Sequence, residues 1–308
     1  MTSVFVESPL DDDARRQSLY AGNLFSYAPR PSTLALVEHA REMVREAFGD
    51  LDPETAQFAM PVEDYAALLA KLKPSFIHHP RSKELITAML ADFGCDLSRT
   101  YFDVPRMRTS TSDDYLTSGI AYAFHPHRDT WYSAPFCQLN WWMPIFDVTP
   151  DNGLAFHPHH WEHGLRNGSR EYNYYEWNAT NRRDAAKHIH SDTRKQPKAE
   201  EPAQLDPQIR VVAPAGGMMV FSAAQLHSSV PNTSGRTRFS LDFRTVHLDD
   251  VLGHVGAPNV DSECTGTTMR DYLRGTDLAH IDEEVCLTYD TAPPRPDAVL
   301  VYDGSATP

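Results

Sequence analysis

The sequence predicts an α+β fold, with amphipathic helices in the N-terminal part followed by an antiparallel β-sandwich or barrel. Two observations carry the prediction. From about residue 32 to 94 apolar residues recur at helical spacing, and beyond residue 100 short alternating or apolar runs are separated by Pro, Gly, Asn and Asp. A chain of 308 residues with 41% hydrophobic content is long enough to bury a sizeable core. We expect a single domain, 1–308, with a mainly helical part at 1–99, a β core at 100–248 and a C-terminal extension at 249–308.

Ser32 is placed to cap a helix carrying Leu34, Val37, Val44 and Phe48, which Gly49 ends. Asp52-Pro53 reads as the first turn of a second helix. Tyr65, Leu68, Leu69 and Leu72 mark a third before Pro74, and Ser82 caps a fourth with Leu85, Ile86, Met89, Leu90 and Phe93 before Gly94. These stripes are expected to pack on the outer face of a sheet. Strands are expected near 100–108, 116–124, 136–146, 153–156, 209–212, 217–222 and 238–247.

Side chains alternate between faces along a strand. In the run 137–145, Leu139, Trp141, Met143 and Ile145 therefore make one apolar face, suited to packing under the helices. Gln138, Asn140 and Trp142 make the other, which offers hydrogen bonds to a cofactor carboxylate or else holds ordinary core polar groups paired with backbone.

The formal net charge of -14 argues against nucleic acid or an anionic membrane surface as partner and favours an uncharged or cationic small molecule. The start lacks a basic segment followed by an apolar run, and no stretch has membrane length, so a cytoplasmic location is expected. Cys95, Cys137, Cys264 and Cys286 lack Cys-x-x-Cys spacing, which points to idle thiols. Monomer and homodimer both remain open.

Taken alone, His127-Arg128-Asp129 is weak evidence for a metal site, because a chain with 15 His and 42 Asp plus Glu contains such triplets by chance. A distant His227 changes the reading, since two His and one carboxylate make the facial triad of non-haem Fe(II) sites. Eleven residues after His227, Arg238 opens an alternating strand, where its planar fork could pair with a dicarboxylate.

On His127-Arg128-Asp129, on the segment 147–154 leading into Pro158-His159-His160, and on His227 with Arg238-Phe239-Ser240, the chain resembles the iron- and 2-oxoglutarate-dependent oxygenases. The phytanoyl-CoA dioxygenase-like branch is most similar, over roughly residues 100–248. Where that family has Pro-Gly-Ser-His, this chain has Pro158-His159-His160-Trp161. The resemblance implies a double-stranded β-helix, the cupin-like jelly roll, which also accommodates the wide gap between His127 and His227.

The resemblance further implies that His127, Asp129 and His227 hold Fe(II), and that 2-oxoglutarate and O2 are co-substrates. Arg238 would fix the far carboxylate of 2-oxoglutarate, with a hydroxyl hydrogen bond from Ser240. The implied outcome is hydroxylation of an unactivated C–H of a small molecule, such as a secondary metabolite or amino-acid derivative, with release of succinate and CO2. Desaturation, epoxidation and cyclisation share the same triad. Halogenases of this fold replace the carboxylate with a small residue, and Asp129 occupies that place here. His125, Trp131 and Tyr132, beside the triad, are expected to contact substrate.

Two rival readings use other features. His125-Pro126-His127 and His157-Pro158-His159 have His-x-His spacing suited to a zinc hydrolase, which leaves Arg238-Phe239-Ser240 without a role. A non-catalytic jelly-roll module would have no use for the whole triad. The long stretch between Gly164 and Gln208 carries Tyr172, Tyr174, Tyr175 and Trp177, and residues 165–205 are expected to form a mobile lid whose aromatics select substrate. The acidic tail after Asp249 has apolar residues too sparse for a core of its own, and is expected to pack on the barrel or mediate oligomerisation.

Overall fold

The computed structural model describes residues 2–121, 124–180, 188, 191–192, 194 and 196–291. In chain order the elements are β1 (Val4–Val6), α1 (Asp12–Tyr20), β2 (Leu24–Tyr27), α2 (Pro31–Phe48), α3 (Val62–His78), α4 (Pro80–Asp92), β3 (Thr100–Phe102) and β4 (Arg106–Ser110). There follow β5 (Leu139–Pro144), β6 (Leu154–Phe156), α5 (Tyr174–Thr180), β7 (Ile209–Val211), β8 (Met218–Ser222) and β9 (His227–Ser229). The last are β10 (Arg238–His247), α6 (Leu248–Leu252), β11 (Leu273–Arg274) and α7 (Glu283–Leu287).

The helices form for the expected reason, but their starts differ. Arg30 rather than Ser32 precedes α2, Pro31 takes the first turn, and the Thr33 hydroxyl accepts the Arg30 N–H at 2.9 Å. The helix ends at Gly49, whose φ of 60° is costly for a residue with a Cβ. The expected helix at Asp52-Pro53 is only a 3-10 turn at Ala56–Phe58. Helix α3 runs through Pro74 to His78, giving up the bond to the Ala70 carbonyl. His79 caps α4, while Ser82 lies inside the helix, buried, and donates to the Phe76 carbonyl at 2.8 Å.

Two sheets face each other in a double-stranded β-helix. The larger runs β1-β2-β8-β5-β10-β3-β11, with β4 also paired to β10, and the smaller runs β7-β6-β9. All pairs are antiparallel except β1 with β2. Strands from both flanks thus join the large sheet, and the expected strand at 116–124 is absent among its described residues.

The parity reading of β5 holds. Leu139, Trp141, Met143 and Ile145 pack with Leu36, Val37, Leu69, Phe76 and Leu90 of the helices in one buried cluster. Trp142, on the opposite face, joins Leu154, Phe156 and Phe221 between the sheets. The C-terminal extension packs on the barrel, since Met269, Tyr272, Ile281 and Cys286 belong to the helix-side cluster. The segment expected to be a mobile lid carries a 3-10 turn at Gly168–Glu171 and helix α5 among its described residues. The charged run 181–184 and the Pro-rich 293–296 lie outside the described residues. All four cysteines are free, and no described helix is long and apolar enough to cross a membrane.

Candidate active site

The site begins with a backbone pairing. His127 and His227 sit opposite each other and exchange both N–H···O bonds, at 2.9 and 3.0 Å, which extends the small sheet by one bridge beyond β9. Directly after His127 the chain turns into a 3-10 segment, Asp129–Tyr132, that brings Asp129 back to the same side. One ligand atom from each of His127, Asp129 and His227 lies within 4.8 Å of the others, and all three residues are buried.

The tautomers are set by the backbone. His127 Nδ1 lies 2.9 Å from the His125 carbonyl and His227 Nδ1 lies 3.0 Å from the Gln225 carbonyl, so each Nδ1 carries the proton. Each Nε2 is left with a lone pair for a metal. Burial, followed by the neighbouring His127, pushes His227 down to about 3, so it is a neutral ligand at ordinary pH. Asp129 Oδ1 is 3.3 Å from His127 Nε2. Its Oδ2 accepts from Gln138 Nε2 at 3.2 Å and from Arg244 Nε at 3.3 Å. Burial raises the Asp129 pKa, but the Arg244 guanidinium and the two histidines hold it well below the usual carboxylate range. An ionised carboxylate beside two imidazoles whose Nδ1 atoms face backbone carbonyls is a donor set suited to Fe(II).

Residues that spacing does not single out complete this shell. Arg244 lies at 3.3 Å from Asp103 as well as from Asp129, and the Tyr272 hydroxyl donates to Gln138 Oε1 at 2.6 Å. Alternation along β10 offers the signal, because Arg238, Ser240, Asp242 and Arg244 share one face. Between the ligands, Arg128 is a clip: its Nε lies 3.0 Å from Asp261 and its Nη2 donates to the His160 carbonyl. The segment Pro158-His159-His160 therefore supplies backbone to this clip.

Arg238 is buried and has no ion pair among the described residues. Its Nη1 donates to the carbonyls of Asn152 and Gly153, both at 2.9 Å, and its Nη2 to Ser229 Oγ at 3.1 Å. The Nε finds no partner. Burial lowers its pKa to about 10 even though Asp242 on the same strand face pulls it up, and such a cation is stabilised by an incoming anion. Gly153 is required where the turn closes, because a Cβ would meet the Val211 carbonyl at 2.4 Å. Arg236 is exposed and lies 3.3 Å from Glu54.

A cavity of about 710 Å³ joins these parts. It is lined by the triad, Gln138, Asn140, Trp142, Arg238 and Arg244, and by Tyr132, Tyr172, Tyr174 and Trp177. Four expected residues are not on its wall. The Trp131 indole is fully buried with Leu165 and Leu226 and donates to Asp261 Oδ1 at 2.8 Å, because the 3-10 turn swings it away from Tyr132. His125 lies with its Nε2 3.0 Å from the Pro197 carbonyl, and only its own carbonyl serves the site. Ser240 is fully enclosed with an unpartnered hydroxyl, being a short side chain between Arg108 and Pro144 across the sheet. Tyr175 is buried away from the cavity, its hydroxyl donating to Asp290 at 2.6 Å.

A buried His-Asp-His face inside a double-stranded β-helix defines the class of non-haem iron oxygenases. The family model for phytanoyl-CoA dioxygenase (PhyH) matches residues 34–240, and the chain belongs to that family of iron- and 2-oxoglutarate-dependent oxygenases. Among solved structures it is similar to the non-heme monooxygenase ThoJ in its apo form, at 13% identity over 84% of this chain and 85% of that one, TM-score 0.39. It is similar to the alpha ketoglutarate dependent epimerase SnoN from nogalamycin biosynthesis, at 16% identity over 77% and 84%, TM-score 0.38. AviO1 from Streptomyces viridochromogenes Tue57 gives 16% identity over 82% and 99%, TM-score 0.39. No curated protein matches the sequence.

Proposed function

We propose that this enzyme hydroxylates an unactivated C–H of a small molecule, with His127, Asp129 and His227 as the iron ligands. The observation that carries the reading is the triad itself: three buried ligand atoms within 4.8 Å, with both histidine tautomers fixed by backbone carbonyls. Bound iron and 2-oxoglutarate supply the oxidant, since O2 is consumed as the keto acid becomes succinate and CO2, and the substrate C–H becomes C–OH.

The chain's own residues bind, orient and exclude water. Arg238 is the anchor for the far carboxylate of 2-oxoglutarate, because its buried Nε has no partner. Ser240, expected to add a hydroxyl, is buried and unpartnered on the same strand face but lies off the cavity wall, so the anchor rests on Arg238 alone. Gln138 and Arg244 hold Asp129 Oδ2 and leave Oδ1 for the metal. Asn140 and Trp142 continue the polar wall of β5, and Tyr132, Tyr172 and Tyr174 bound the space left for substrate.

The test is anaerobic loading with Fe(II) and 2-oxoglutarate, followed through a weak visible charge-transfer band, and then a library screen for substrate-stimulated succinate release. The wild type should give the band and turnover, and His227→Ala should lose iron and turnover while keeping its fold. A His227→Ala protein with normal iron content and activity would overturn the ligand assignment.

A further inference from the structure

The charge balance of the cavity is opposite to that of the chain. The sequence carries a net charge of -14, yet among the described residues six Lys or Arg side chains line the cavity against four Asp. Fe(II) and the 2-oxoglutarate dianion cancel one another, so their binding leaves this positive excess in place. Arg194 is already answered by Asp192, 2.6 Å away and outside the lining, which leaves an excess of one cation among the described residues.

Helix α3 locates the excess. Ala70, Lys73, Pro74 and Ile77 follow one another at the spacing of a single helical face and line the cavity, with Lys73 as the only charge of the stripe. The Lys73 ammonium donates to the Ile120 carbonyl and has no ion pair among the described residues, so two of its three hydrogens have no protein acceptor. Arg108, on β4, shares the wall. It holds Asp242 through Nε at 2.7 Å and Nη2 at 3.4 Å, which leaves Nη1 uncommitted, and its side chain is 46% exposed. Asp242 is already 3.7 Å from Arg244. Asp242 is thus taken up by Arg108, Arg244 already has Asp129 and Asp103, and Lys73 is left without a close carboxylate among the described residues. Burial, then the nearby Arg108, pushes the Lys73 ammonium down to about 7, with Asp242 pulling the other way.

We propose that the substrate carries an oxyanion, a carboxylate or a phosphate ester, seated between Lys73 and Arg108 while its reacting carbon faces the triad. This rests on the oxygenase reading above. It replaces the uncharged or cationic substrate that overall charge favours, because a local field inside a low-dielectric cavity outweighs a distant, screened net charge. Ala70, Pro74 and Ile77 supply apolar wall beside the anion, so the substrate pairs its charge with a hydrocarbon body.

The experiment uses protein loaded anaerobically with Fe(II) and 2-oxoglutarate, with the charge-transfer band as proof of loading. Inorganic phosphate and hexanoate are titrated separately, with hexanol as the neutral control, and the thermal midpoint is followed. At least one anion should raise the midpoint saturably, and which one does so separates a phosphate from a carboxylate. Hexanol should not. Lys73→Met and Arg108→Gln should each raise the dissociation constant by about tenfold, the loss of one charge-assisted contact. Lys73→Met removes a half-buried amine from an apolar stripe and so keeps the test open if Arg108→Gln fails to fold. No saturable shift with either anion, or equal affinity in Lys73→Met, would overturn the proposal. Absence of the band itself would instead defeat the oxygenase reading.

Discussion

At the scale of single residues, the arginine to which sequence assigns 2-oxoglutarate and the one that sequence passes over divide the work of β10. Arg238 is buried with no ion pair among the described residues, whereas Arg244 pairs with Asp129 and Asp103. Leaving a buried charge of the co-substrate unpaired costs about 3 to 5 kcal/mol, so Arg238→Ala should weaken 2-oxoglutarate by roughly two to three powers of ten. Metal affinity should barely change. Arg238→Lys should recover only part of the loss, because an ammonium lacks the planar fork. Titrating each variant while following the charge-transfer band checks this, and an unchanged dissociation constant for Arg238→Ala would move the anchor elsewhere. His127-x-Asp129 and the eleven-residue step from His227 to Arg238 are short-range patterns open to a reader of the sequence, whereas joining His127 to the distant His227 rests on the family resemblance. Arg244, Asp103 and Tyr272 are not legible there, because they meet Asp129 and Gln138 only after β3, β10 and the C-terminal extension are folded together.

At the scale of elements, alternation is reliable where a strand is buried on both faces, as β5 shows. Local signals fail where tertiary contacts decide. Trp131 follows Asp129 closely, yet a 3-10 turn sends it into the cluster with Leu165 and Leu226. Likewise β2 and β9 are too short for period-two patterning and exist because β8 and β6 accept them. Helix α5 and the turn before it put Tyr172, Tyr174 and Trp177 on the cavity wall. Tyr172→Ala with Trp177→Ala should therefore damage coupling of 2-oxoglutarate turnover to the prime substrate more than the slow substrate-free decarboxylation. Comparing succinate release with and without substrate measures this. An equal fall in both rates would assign the aromatics to stability alone.

At the scale of the whole molecule, several buried histidines make the fold sensitive to acid. Burial lowers the pKa of His39, His157 and His160 below the ordinary imidazole value of 6.5, although the hydrogen bond of His157 to the Leu205 carbonyl partly restores it. Because the folded values lie below the unfolded one, the unfolded chain takes up more protons as pH falls through 6.5, and stability present above that pH is lost. Metal-free protein should thus show a lower urea midpoint at about pH 5 than at about pH 7. His157→Gln should narrow the difference. Identical midpoints at the two pH values would contradict the burial argument.

The C-terminal extension reaches the metal carboxylate through a chain of two contacts, Tyr272 to Gln138 and Gln138 to Asp129, while Asp261 grips Arg128 between the ligands. During synthesis the N-terminal helices and both histidines emerge well before residues 261 and 272, and a nascent chain folds in that order. The coordinating face is consequently finished late, by residues with no chemistry of their own. Iron captured by a ribosome-bound chain would meet a carboxylate held by Gln138 and Arg244 but not yet backed by Tyr272, so the most rigid loading belongs to the period after residue 272 has docked.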